Sequence, residues 1–158
     1  MGSPRSSFMH WLALLLAVAA PITLVSVAAF AALGENESSI AAEQAQMHAT
    51  RRIIQAATHS IHEMQTPAGH VIREYVSPSG TVFGVTWQGP SKPDLKQLLG
   101  THFDALQQTV KSSAIRRGPI VIRQPNLVFE MGGHMRAFSG RAYLPQLVPE
   151  GVQADAIR

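Results

Sequence analysis

The sequence predicts an α+β domain: one antiparallel sheet of five to six strands with one or two helices packed on one face, preceded by an N-terminal signal helix. Three observations carry this. Short segments with period-two alternation recur between Pro/Gly/Ser turns. A single strongly amphipathic stretch lies between the first and second groups of such segments. The remaining apolar run sits at the extreme N-terminus.

In that N-terminal run, Arg5 and Ser6-Ser7 precede mainly apolar residues from Trp11 to Leu33, which pass through Ala29-Phe30-Ala31. Small residues at two alternate positions suit a signal peptidase, so residues 1–31 are expected to be a cleaved signal peptide. The alternative is a retained membrane anchor, since the run is long enough to span a bilayer. Either way residues 32–158 are expected as one domain beyond the membrane, periplasmic or secreted, and only the N-terminal segment meets the membrane.

Ser38 to about Gln55 has no Gly or Pro and spaces Ile40, Met47 and Ile54, which predicts a helix. Ser60 to Gln65, Val71 to Val76 and Thr81 to Trp87 read as three consecutive antiparallel strands, separated by Thr66-Pro67-Ala68-Gly69 and Ser77-Pro78-Ser79-Gly80. Phe83, Val85 and Trp87 alternate there, which assigns Trp87 to the core. After Pro93, Leu95, Leu98, Leu99, Phe103, Leu106 and Val110 fall on one helical face, with Ser91 as the expected N-cap and Asp94 near the helix start. Ile120 to Arg123 and Leu127 to Met131 return to strand character. Gly132-Gly133 reads as a two-residue hairpin turn, and His134 to Tyr143 as the returning strand.

The formal charge of +3, from 13 Lys+Arg against 10 Asp+Glu, is too small and too scattered for a nucleic-acid footprint. The pairs Arg51-Arg52 and Arg116-Arg117 read as solvated surface. With no cysteine, disulfides, thiolate metal sites and cysteine nucleophiles are excluded.

Arg73-Glu74-Tyr75-Val76-Ser77-Pro78, Gly80 through Pro90, Pro93-Asp94-Leu95, Leu98-Leu99-Gly100 and the block Gly133 to Tyr143 resemble an uncharacterised family of short exported proteobacterial proteins, domain of unknown function 2844. The resemblance implies a bacterial envelope location. It implies no activity and no functional residue.

Chemistry has few footholds. His134 and Met131 are the candidate metal ligands, since imidazole with thioether suits copper, and a turn at Gly132-Gly133 would pair them on one face with Met135 on the other. His59 and His62 fall on opposite faces of a strand. Ser139, with His134 or His102 and Glu130 or Asp104, can be written as a hydrolytic triad, but no nucleophile elbow accompanies it. Arg73, Arg136 and Arg141 lie on predicted strands, where a row of guanidinium groups could receive a carboxylate or phosphate; pairing with Glu74 or Glu130 is the ordinary alternative. Asn36-Glu37-Ser38 fits a glycosylation acceptor without further meaning here. No catalytic residue and no cofactor are assigned. The expected function is a non-enzymatic binding or assembly module for an envelope protein or polymer, with a periplasmic His/Met metal binder as the alternative and an enzyme with an unrecognised site third.

Overall fold

The computed structural model describes residues 33–112 and 118–158. The expected signal peptide and Arg116-Arg117 lie outside them. A 3-10 turn at Glu37–Ser39 leads into α1 (Ile40–Gln46). The strands β1 (Thr50–Gln55), β2 (Ser60–Gln65), β3 (Val71–Val76) and β4 (Val82–Gly89) follow. The helices α2 (Leu95–Leu99) and α3 (His102–Ser112) then precede β5 (Ile120–Gln124), β6 (Leu127–His134) and β7 (Ala137–Tyr143). All seven strands form one antiparallel sheet in the order β1-β2-β3-β4-β7-β6-β5. The expectation of five to six strands is therefore short by at least one, because Thr50–Gln55 is a strand and not the end of a helix.

The reason is a terminator that does not look like one. His48 adopts φ 50 and turns the chain after α1, a conformation glycine usually supplies. The following Thr-Arg-Arg-Ile-Ile-Gln then pairs with β2 along its full length. As an edge strand it is largely exposed, and its arginines discourage further pairing.

The amphipathic stretch is two helices. Asp94, not Ser91, is the N-cap: its carboxylate accepts from the Lys96 and Gln97 N–H groups at 2.9 and 3.2 Å. Gly100, at φ 52, ends α2 and lets α3 start at a new angle. Leu98, Leu99 and Leu106 are buried against the sheet, with Phe103 and Val110 partly buried beside them. Ile40 of α1 joins the same core, which includes Ile72, Val85, Trp87, Phe129 and Ala142 from the strands. Burying side chains of this size contributes about 1.5–3 kcal/mol each, so this face supplies most of the driving force.

A bulge between Tyr75 and Val76 breaks the alternation in β4: Val76 pairs with Val82 and Tyr75 with Gly84. Phe83 consequently leaves the face of Val85 and Trp87 and packs with Tyr75 and Ile157 on the other side of the sheet. Trp87 is in the core as expected, but without Phe83 as its companion.

The hairpin joining β6 and β7 also differs from expectation. Gly132 and Gly133 pair within the ladder, opposite Ser139 and Phe138, and the chain reverses at Met135-Arg136, with Arg136 at φ 67. Gly133 is required where it stands. Its φ is 129, and a Cβ would come within 2.2 Å of the Ala137 carbonyl oxygen.

Candidate functional site: a hollow on the open sheet face

The helices cover one face of the sheet. On the other, strand register arranges side chains in three rows. The first row, Tyr75, Gly84, Tyr143 and Val128, lies on neighbouring strands. The C-terminal segment partly covers it, placing Val148, Val152 and Ile157 around Tyr75 and Phe83. The Tyr75 hydroxyl donates to the Arg158 carbonyl at 2.8 Å and accepts from the Arg158 N–H at 3.1 Å.

The second row is charged. Arg52, Glu63, Arg73, Thr86, Arg141 and Glu130 stand opposite one another across six adjacent strands. Arg52 and Arg73 reach Glu63, each at 2.8 Å, while Arg123 and Arg141 reach Glu130 at 2.8 and 2.9 Å. Each glutamate is thus held by two arginines, and the two groups flank Thr86 on the central strand. These arginines hold the Glu130 carboxyl below the usual carboxylate range, the Arg141 hydrogen bond contributing most. Arg141 is further fixed by donating Nη1 to the Ala154 and Ile157 carbonyls at 2.8 and 3.3 Å. Arg73 is held through Nε alone. Thr86 is only 4% exposed, and no group of the described residues hydrogen-bonds its Oγ1.

The third row, Gln88, Ser139 and Gly132, is small where β7 and β6 meet. A hollow of about 370 Å³ opens there, with Arg73, Thr86, Gln88, Ser139 and Arg141 among its lining residues and Pro119 and Val121 on its rim. Its size falls within the ordinary range for small-ligand sites.

Three glycines near it differ in what they need. Gly133 is dictated by its backbone, and Gly140 by the Trp87 ring, which would lie 2.3 Å from a Cβ. Among the described residues a Cβ at Gly132 would meet only Pro119, at 3.6 Å, an ordinary contact. The space above Gly132 is therefore not imposed by packing.

The residues singled out for chemistry are mostly apart. Met131 and His134 are three residues apart on one strand, so they point to opposite sides of the sheet; Met131 is buried and His134 exposed. Their pairing, which required a turn at Gly132-Gly133, does not form. His59 packs against Tyr75 and Phe83, with ring centroids 5.8 Å from each, and burial lowers its pKa. His70 Nε2 lies 3.0 Å from Ser91 Oγ, 21 positions along the chain. Among the described residues no three His, Asp or Glu side chains converge to hold a metal ion. Ser139 lines the hollow, but no histidine does. Of the three arginines, Arg73 and Arg141 share the hollow and Arg136 sits in the hairpin turn. Arg73 pairs with Glu63 and not with Glu74. Asn36 accepts from the Ser38 N–H at 2.9 Å, capping the first turn.

A second cluster, missed at the level of sequence, lies beneath α1. Glu43 of α1 and Glu74 of β3 are both fully buried, and no other group of the described residues hydrogen-bonds their carboxyl oxygens. A proton held between the two carboxyls is the partner each lacks. Burial, then the charge of Glu74, pushes Glu43 up to about 10; burial pushes Glu74 up to about 8, opposed by the Glu43 hydrogen bond and Arg51. His62, opposite Glu74 on β2, places Nε2 3.0 Å from Glu37 Oε1. Burial lowers its pKa against the pull of Glu37.

Residues 29–157 match the family model described as a protein of unknown function, DUF2844. The chain belongs to this family. No curated protein and no solved structure matches it significantly. The family assignment agrees with the sequence resemblance and brings no activity, so the chemistry of the hollow has to be argued from its own residues.

Proposed function

We propose that this DUF2844 protein is an exported, non-enzymatic binding module, periplasmic or secreted, that receives a segment of an envelope polymer in the hollow above Gly132. Unforced empty space at Gly132 is the observation that carries the reading. A strand glycine weakens its strand by leaving nothing to pack, and here a Cβ would make only an ordinary contact with the described residues. Retaining glycine at that position preserves a cavity bordered by hydrogen-bonding groups. The scale of the hollow favours a polymer unit over a folded protein partner, whose interfaces need about 800 Å² per side. A catalytic reading has less support, because among the described residues no histidine lines the hollow with Ser139 and Glu130 is already held by two arginines.

The test is co-sedimentation of the exported chain with purified peptidoglycan and its retention on immobilised polygalacturonate, alongside Gly132→Val. The wild type should be retained by at least one polymer, and the variant should fold but lose retention. Absence of retention on both, or equal retention of Gly132→Val, would reject the reading. Intact mass of the exported form should also start at or near Ala32; a chain still carrying Trp11 to Val27 in the membrane refutes signal cleavage.

A further inference from the structure

We propose that the hollow binds a single oxyanion, a carboxylate or phosphate borne by the polymer, between Arg73 and Arg141 with the Thr86 hydroxyl donating from the floor. The inference rests on the binding reading above and specifies the chemistry of its ligand.

Strand spacing puts the Arg73 and Arg141 backbones roughly 10 Å apart across β4. Two long guanidinium side chains can therefore close on a group centred over Thr86. Both present unused donors. Arg73 spends only Nε on Glu63, and Arg141 spends Nε and Nη1 on Glu130 and the C-terminal carbonyls. Terminal guanidinium N–H groups remain on each, in the planar geometry that suits carboxylate and phosphate.

Charge points the same way. Glu130 is the acid lining the hollow, and its oxygens are already held by Arg123 and Arg141. Glu63 is likewise held by Arg52 and Arg73. Each glutamate with its two arginines carries one excess positive charge, so the space between the two groups favours an anion.

The third indication is Thr86. A buried hydroxyl without a hydrogen bond is costly, and Val would fill the same volume. Threonine on the central strand, between two arginines, is explained by a ligand that accepts from it. At rest the hydroxyl is covered, so entry requires a rim side chain to shift, and Arg73, bonded among the described residues only through Nε to Glu63, is the one with the fewest bonds to break.

The experiment is a nitrogen-15 NMR titration of the exported chain with sodium phosphate, sodium galacturonate and neutral galactose. Saturable shifts at the Thr86, Ser139 and Gly140 amides are expected with an anion and not with galactose. The anion that binds more tightly identifies the group as phosphate or carboxylate. Arg73→Gln should weaken binding at least about tenfold. Thr86→Val should weaken it several-fold while its urea midpoint stays level or rises, which a merely structural threonine would not do. Unchanged affinity in Thr86→Val, or shifts equal with galactose, overturns the proposal. If neither anion moves these amides although the polymers still retain the wild type and not Gly132→Val, the oxyanion inference falls and the binding hollow stands.

Discussion

Replacing Glu43 with Gln tests the buried carboxyl pair beneath α1. In the folded chain Glu43 retains its proton well above the usual carboxylate range, because burial and the neighbouring Glu74 both oppose a second charge. In the unfolded chain both groups ionise near 4.5. The folded state thus binds more protons, and unfolding free energy must fall as pH rises towards the folded values of about 8 and about 10. Each retained proton corresponds to about 1.4 kcal/mol per pH unit, so a pair holding between one and two protons loses about 2–3 kcal/mol between about pH 7 and about pH 8.5. His62 works in the opposite sense: its lowered pKa makes stability rise with pH only up to about 6.5, so the window above neutrality isolates the carboxyls. Glu43→Gln supplies a permanent N–H donor to Glu74, which Arg51 already favours as an anion. The slope should fall by at least half, and the variant should be more stable than wild type by about 1–2 kcal/mol at about pH 8.5. Urea unfolding across this window measures both quantities, with Glu43→Gln/Glu74→Gln as the flat reference. Wild-type stability that is constant or rising between about pH 7 and about pH 8.5 would refute the shared proton.

Two packing predictions accompany it. Leu99→Ala, at a fully buried position, should cost about 2–5 kcal/mol by denaturant midpoint, and Phe103→Ala, only partly buried, about half as much. Gly140→Ala should destabilise by about 3 kcal/mol or more, since its Cβ would meet the Trp87 ring and, at 2.7 Å, the Glu130 carbonyl oxygen. Gly132→Val should be neutral or stabilising in the same assay, and a cost comparable to that of Gly140→Ala would show that its space is structural.

Sequence periodicity located β2, β3, the body of β4 and the buried face of α2 and α3, because each follows a period of two or of three to four residues between clear turns. It failed where backbone conformation broke the residue code. His48 and Arg136 adopt left-handed conformations without being glycine, so the residue pattern runs β1 into a helix and sets the β6-β7 turn three residues early. That displacement removes the expected pairing of Met131 with His134, because moving the turn puts them on opposite sides of the sheet. The bulge at Tyr75/Val76 has no compositional mark either, and it transfers Phe83 from one core to the other.

The arginine row shows a different limit. Arg73 and Arg141 were legible as strand arginines able to receive an anion, but their positions opposite Thr86 depend on the register of β3, β4 and β7 and on a crossover from β4 to β7 that passes through two helices and two strands. Glu43 and Glu74 are 31 positions apart in sequence, and neither neighbourhood marks the other as its partner.

The three rows of the open face give the C-terminal segment a role in the site. Ile157 packs beside Gly84, where a Cβ would lie 3.3 Å from its side chain, and thereby covers the apolar row that would otherwise meet water. The same segment presents the Ala154 and Ile157 carbonyls to Arg141. Those two bonds, with the one to Glu130, hold this guanidinium at the edge of the hollow, while Arg73 on the opposite edge is held by its bond to Glu63. The docked C-terminal segment thus supplies two of the three hydrogen bonds that position Arg141, and a variant that displaces Ile157 from Gly84 is expected to leave Arg141 held by Glu130 alone.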